Sequence, residues 1–102
     1  MGLPYCAWRF LSDMDIAKTF EIKNKLGIHA RAAAKIVETA NRFHADVVLE
    51  KDGYEVNGRS ILDILTLYCP KGSRLTVRLE GVDAAEAMEM LSLLIEGKFG
   101  EI

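Results

Sequence analysis

The sequence predicts an α+β fold: a four-stranded, mostly antiparallel sheet with three helices on one face, in the order β-α-β-β-α-β-α. Three observations carry this. Four short stretches alternate apolar and polar residues, the period of a strand with one buried face. Three others place apolar residues at steps of three and four, the period of a helix with one buried stripe. Such one-sided elements are all satisfied if every helix lies on a single sheet face and water covers the other. A right-handed crossover between the first two strands then leaves room for the last strand between them.

Residues 1–15 follow neither period. They are read as an N-terminal extension holding Pro4, Cys6, Trp8 and Phe10, either poorly ordered or packed on an open surface through its aromatics. The folded domain is expected over 16–102. Its first strand, Ile16 to Lys23, turns Phe20 and Ile22 inward. Asn24-Lys25-Leu26-Gly27 ends it. From Ala30 to Phe43, Ala33, Ile36, Val37, Ala40 and Phe43 share one helix face, with Glu38 and Arg42 paired at four-residue spacing. The second strand, Asp46 to Glu50, buries Val47 and Leu49 and turns at Asp52-Gly53, a hairpin dipeptide, into Tyr54-Glu55-Val56.

Ser60 stands as N-cap of a shorter helix, Ile61 to Tyr68, whose spacing picks Ile61, Ile64 and Tyr68 for the core. Arg74 to Glu80 alternates with Leu75, Val77 and Leu79 inward. Asp83 and Glu86 then have the spacing of a capping box. The last helix has the stripe Ala84, Ala87, Met88, Leu91, Leu94 and Ile95, and stops at Gly97.

Composition narrows the function. The 102 residues carry 13 Lys plus Arg against 15 Asp plus Glu, a formal charge of −2. Nothing in that balance suits nucleic acid. No apolar run is long enough to span a bilayer, and the start lacks the features of a signal peptide. Cys6 and Cys69 match no metal spacing and read as free thiols, so a cytoplasmic address is expected. No metal or organic cofactor is indicated.

The stretch with chemical content is Leu26-Gly27-Ile28-His29-Ala30-Arg31. It puts a histidine where a helix opens. The first turn of a helix has N–H groups without intrahelical partners and the positive end of the helix dipole, which together suit phosphate. An imidazole there can act as a nucleophile, with the backbone of Ala30 and Arg31 and the Arg31 guanidinium as donors to the phosphoryl oxygens. On local grounds alone, a helix cap or a plain surface histidine remains an alternative. No carboxylate or second histidine is evident beside His29 to activate water. His44 reads as structural or solvent-facing.

Three blocks in one order, Asn24-Lys25-Leu26-Gly27-Ile28-His29-Ala30-Arg31, Val56-Asn57-Gly58-Arg59-Ser60-Ile61-Leu62 and Pro70-Lys71-Gly72-Ser73, resemble the histidine-containing phosphocarrier HPr family. The resemblance runs from about Ile16 to Glu101. It implies an open-faced β-sandwich and a stoichiometric carrier of the phosphoenolpyruvate-dependent phosphotransferase system rather than a turnover enzyme. It also implies that His29 takes a phosphoryl group on Nδ1 from phospho-enzyme I and passes it to IIA-type proteins, with Arg31 at the same centre. Ser60 matches the family's regulatory serine, a target of HPr kinase/phosphorylase, beside its role as a cap. Leu62 and Leu65 match positions that meet partners. Ala32 and Asp63 depart from the family's usual proline and glycine. The sugar-uptake branch and the nitrogen-linked branch, a regulatory module acting through association, both remain open.

Overall fold

A computed structural model of the chain describes residues 15–101. Cys6, Trp8 and Phe10, and with them residues 1–14 of the expected N-terminal extension, lie outside those residues, while Asp15 already belongs to the first strand. The elements are β1 (Asp15–Glu21), α1 (Ala30–Ala40), β2 (Asp46–Lys51), β3 (Tyr54–Asn57), α2 (Ile61–Thr66), β4 (Arg74–Glu80) and α3 (Ala84–Glu96), as the sequence predicts. The four strands form one sheet in the order β1-β4-β2-β3. Each neighbouring pair is antiparallel, and β4 lies between β1 and β2.

Alternation decides the two faces. Phe20, Val47, Leu49, Leu75, Val77 and Leu79 are buried in a single core with Ile36, Ile64 and Leu91 from the three helices. Polar partners occupy the opposite positions. Thr19 and Thr76, opposite one another in the register, share a 2.8 Å hydroxyl hydrogen bond. Arg78 donates to Glu50 and Glu55, each at 2.9 Å. At Asp52-Gly53 both φ angles are positive, 54° and 83°, the geometry of a tight hairpin turn. No helix among the described residues is long and apolar enough to cross a membrane.

Several local expectations change. Helix α1 stops at Ala40, so Arg42 lies beyond it and makes no ion pair with Glu38. The end of α1 is closed instead by Arg59. Its Nη2 donates to the carbonyl of Ala40, in the last turn, and to those of Phe43 and Ala45 in the loop beyond, at 3.0, 2.8 and 2.8 Å. Helix α2 is only six residues long. Tyr68 falls past its end with φ 50°, so the helical spacing from Ile61 no longer applies. Ile61 and Tyr68 are exposed, at 38% and 74%, while Ile64 and Leu67 are buried.

The capping box at α3 does not form. Asp83 makes no side-chain bond to its own helix. Its carboxylate accepts from the backbone N–H of His44 at 2.8 Å and of Ala45 at 2.9 Å, tying α3 to the loop before β2. The side chain of His44 is exposed. These amides, that of His44 first, hold the Asp83 carboxyl below the usual carboxylate range. A carboxyl with a lower pKa folded than unfolded stabilises the fold above its unfolded value, roughly pH 4, and loses that effect as pH falls through the lower folded value. The melting-temperature gap between wild type and Asp83→Ala is therefore expected to be full at neutral pH and to close in acid. A gap independent of pH would contradict this assignment.

Candidate functional site

The loop between β1 and α1 is built from the inside. Ile22 follows the end of β1, yet it is fully buried and bonded to the loop after α2: its N–H reaches Ser73 O at 2.8 Å and its carbonyl takes Gly72 N–H at 2.7 Å. Asn24 is buried to 1% and folds the loop on itself. Its Nδ2 donates to Gly27 O at 2.6 Å, and Gly27 N–H returns to Asn24 O at 3.1 Å. Gly27 adopts φ +68°, and a Cβ there would stand 2.8 Å from Pro70 Cα. Ile28 N–H then donates to Cys69 O at 2.8 Å. The chain beyond α2 is thus the floor on which the histidine loop rests. Burial pushes the Cys69 thiol up and keeps it protonated, a filler rather than a nucleophile.

This loop delivers His29 as the N-cap of α1, half-buried, with φ −88° and ψ −178°. Its side chain makes no capping hydrogen bond. Its carbonyl accepts the first helical bond, from Ala33 N–H at 2.9 Å. The N–H groups of Ala30, Arg31 and Ala32 have no acceptor among the described residues, and the first turn holds no acidic residue. Nothing within the first turn of α1 opposes an anion beside the ring. Ala32 is fully buried, and its free N–H is the circumstance in which the proline usual at that position would cost no hydrogen bond.

His29, Arg31, Leu26, Lys35, Phe99, Gly100 and Glu101 line a cleft of 320 Å³. Among the described residues, the Arg31 side chain makes no hydrogen bond or ion pair that would hold it away from the cleft. Its last wall departs from expectation. Helix α3 ends at Gly97 with φ −83°, and the left-handed turn falls on Lys98, Phe99 and Gly100, at 60°, 56° and 76°. Left-handed φ costs a non-glycine residue about 1 kcal/mol. Burial of Phe99 to 3% and a 2.7 Å bond from Lys35 Nζ to its carbonyl offset that cost. The turn carries Glu101 to the cleft, where its carboxylate lies 3.3 Å from Leu26 N. A carboxylate therefore lines the same cleft as His29, which the sequence did not reveal because a contact across 75 positions has no local signature.

The other expected residues lie on or beside α2. Ser60 Oγ caps the helix by accepting from Asp63 N–H at 3.2 Å, as its position predicts. Leu62 is 76% exposed, whereas Leu65 is half-buried against the core. Exposed Tyr68 directly precedes Cys69, so the apolar end of α2 adjoins the histidine loop. Asn24, within a quoted block but given no role from sequence, is a positioning residue. Asn24→Ala leaves Gly27 O without its donor and is expected to cost roughly 1–2 kcal/mol in denaturant titrations. A stability equal to wild type would contradict that role.

Residues 16–97 match the family model described as the PTS HPr component phosphorylation site. The phosphocarrier protein HPr of Neisseria meningitidis serogroup A is 43% identical over 86 residues, 84% of this chain and 97% of that protein. The HPr-like protein Crh of Halalkalibacterium halodurans is 44% identical over 81 residues, covering 79% of this chain and 96% of that one. The crystal structure of HPr-C-His from Thermoanaerobacter tengcongensis has a TM-score of 0.82 at 45% identity, over 85% of this chain and 98% of that chain. Likeness in sequence and in backbone extends across nearly all the described residues, and on both counts the chain belongs to the HPr family of the phosphotransferase system, phosphocarriers rather than turnover enzymes.

Proposed function

We propose that His29 is the phosphoryl acceptor of a relay from phospho-enzyme I to IIA-type proteins, carried by a domain spanning 16–102. The observation that carries this reading is a histidine with an uncapped side chain at the start of α1, beside three backbone N–H groups without acceptors. In each transfer, the lone pair of Nδ1 attacks the phosphorus held by the donor's phosphohistidine. The new Nδ1–P bond forms as the donor's N–P bond breaks, and the donor imidazole leaves with the electron pair. The second transfer repeats the step with His29 as the leaving group. Phosphoryl transfer needs mainly positioning and charge stabilisation. The amides of Ala30 and Arg31 and the guanidinium of Arg31 supply both to the equatorial oxygens.

The family's partners are enzymes of the phosphotransferase system, and the apolar surface of Leu26, Leu62 and Tyr68 is where transient docking would occur. Leu65 contributes from beneath, since it is half-buried. The relay is tested by mixing the full chain with phosphoenolpyruvate and catalytic enzyme I: it should gain one acid-labile phosphate. No gain would refute it. Arg31→Ala is expected to slow transfer roughly tenfold or more with the fold intact, as loss of a charge-assisted donor implies. An unchanged rate would remove Arg31 from the centre.

A second reading, a regulatory module that works by association, draws on the identity shared with the HPr-like protein Crh and on Ser60. A phosphate from HPr kinase/phosphorylase on Ser60 would displace the cap bond to Asp63 N–H and put negative charge beside the Asp63 carboxylate and the apolar docking face. Ser60→Asp should then weaken enzyme I binding. Equal affinity would count against regulation through this serine.

A further inference from the structure

We infer that Glu101 is a competing anion built into the phosphoryl cleft, which raises the tendency of phospho-His29 to give its phosphate away. The inference rests on the relay proposed above and adds to it a residue that sets the equilibrium of the transfer. A carrier must hold its cargo weakly enough to pass it on. The centre as read from α1 alone has only attractive features: free amides, the positive helix end, Arg31, and Lys35 one turn further along. Those features would retain a dianionic group.

The C-terminal segment introduces the opposing element. Its position is enforced and not incidental: two non-glycine residues accept left-handed backbone, Phe99 is buried as an anchor, and Lys35 Nζ is engaged by Phe99 O at 2.7 Å. The consequence is twofold. Lys35, the second cation of the cleft, is drawn to a carbonyl of that segment, and the Glu101 carboxylate is set against Leu26 N–H, both oxygens at 3.3 Å. Glu101 forms no ion pair with Arg31 among the described residues, so its charge is not cancelled by the nearest guanidinium of the cleft. A phosphoryl group arriving on His29 brings about two negative charges into the same cleft at neutral pH. The two anions repel, and the repulsion is present only in the phosphorylated state. It therefore shifts the transfer equilibrium without being needed for the fold.

The test is the equilibrium level of phosphorylated chain at a fixed ratio of phosphoenolpyruvate to pyruvate with catalytic enzyme I, read by intact mass. Glu101→Gln keeps the size and an acceptor oxygen but removes the charge. It should raise the ratio of phosphorylated to free chain by roughly three- to tenfold at low ionic strength, and the gain should shrink in high salt as screening weakens the repulsion. Glu101→Asp, which keeps the charge, should stay near wild type. The inference is overturned if Glu101→Gln matches wild type, if Glu101→Asp shifts as far as Glu101→Gln, or if the shift is the same at high salt, since packing rather than charge would then be responsible. If wild type itself takes no phosphate, the relay fails and this inference with it; if it labels normally and Glu101→Gln changes nothing, only this inference fails.

Discussion

His29→Ala is expected to abolish acid-labile phosphate uptake from enzyme I, a loss of at least about a thousandfold, while the protein melts as wild type does. The site explains why the two effects separate. His29 is half-buried at the head of α1, its side chain caps nothing, and the bond that starts the helix uses its carbonyl, which alanine retains. Alanine is a weaker N-cap residue in general because it lacks a side-chain acceptor, but no such bond exists here to lose. On the proposed relay, the reaction loses its nucleophile entirely. Acid lability separates phosphohistidine from phosphate on Ser60, which would survive acid. Labelling of His29→Ala at the wild-type level would move the relay to another residue.

Gly27→Ala should have the largest effect on stability, a loss of roughly 2–4 kcal/mol, together with slower phosphoryl transfer. Two separate penalties meet at this position. The backbone is left-handed at φ +68°, which a side chain resists. A Cβ would also be driven into the Cys69 carbonyl and to 2.8 Å of Pro70 Cα, backbone atoms that cannot turn aside. Relief requires the loop to lift from the chain beyond α2. That movement would stretch the Ile28–Cys69 bond of 2.8 Å and the Asn24–Gly27 bond of 2.6 Å, and would tilt His29 away from its amides. Urea titration measures the first effect and the enzyme I assay the second. A variant with wild-type stability would show that the loop is not pinned by this contact.

What the sequence conveyed well is what periodicity encodes. Strands with one apolar face, such as Leu75, Val77 and Leu79 of β4, could be read directly, and a right-handed crossover leaves room for β4 between β1 and β2, where it lies. The Ser60 cap and the Asp52-Gly53 turn were legible because their chemistry is local. Of the core residues expected from α2, Ile64 is buried but Ile61 and Tyr68 are not, because the helix is too short to hold a face: Tyr68 lies beyond its end, and Leu67 takes the buried position. The spacing of Asp83 predicts a cap, whereas its carboxylate reaches the amides of His44 and Ala45. Those two options have the same residue at the same spacing and differ only in what tertiary packing brings near.

The same limit applies at the centre. His29, Arg31 and the donor amides are adjacent in sequence, so their grouping was visible in the letters. The supports were not. Asn24 is buried by a fold-back, Cys69 supports Ile28 from the end of α2, and Glu101 returns from the far end of the chain. The last two depend on long-range contacts, and the sequence signal of each of the three is a single unremarkable residue.

The central claim is that phosphate on His29 rests against the open end of α1, and amide proton shifts in two-dimensional NMR spectra report on it directly. On phosphorylation by enzyme I, the N–H groups of Ala30 and Arg31 should shift downfield more than any others in the protein, as new charge-assisted bonds form. If those two amides stay in place while the chain carries its phosphate, the phosphoryl group is held by something other than the helix end.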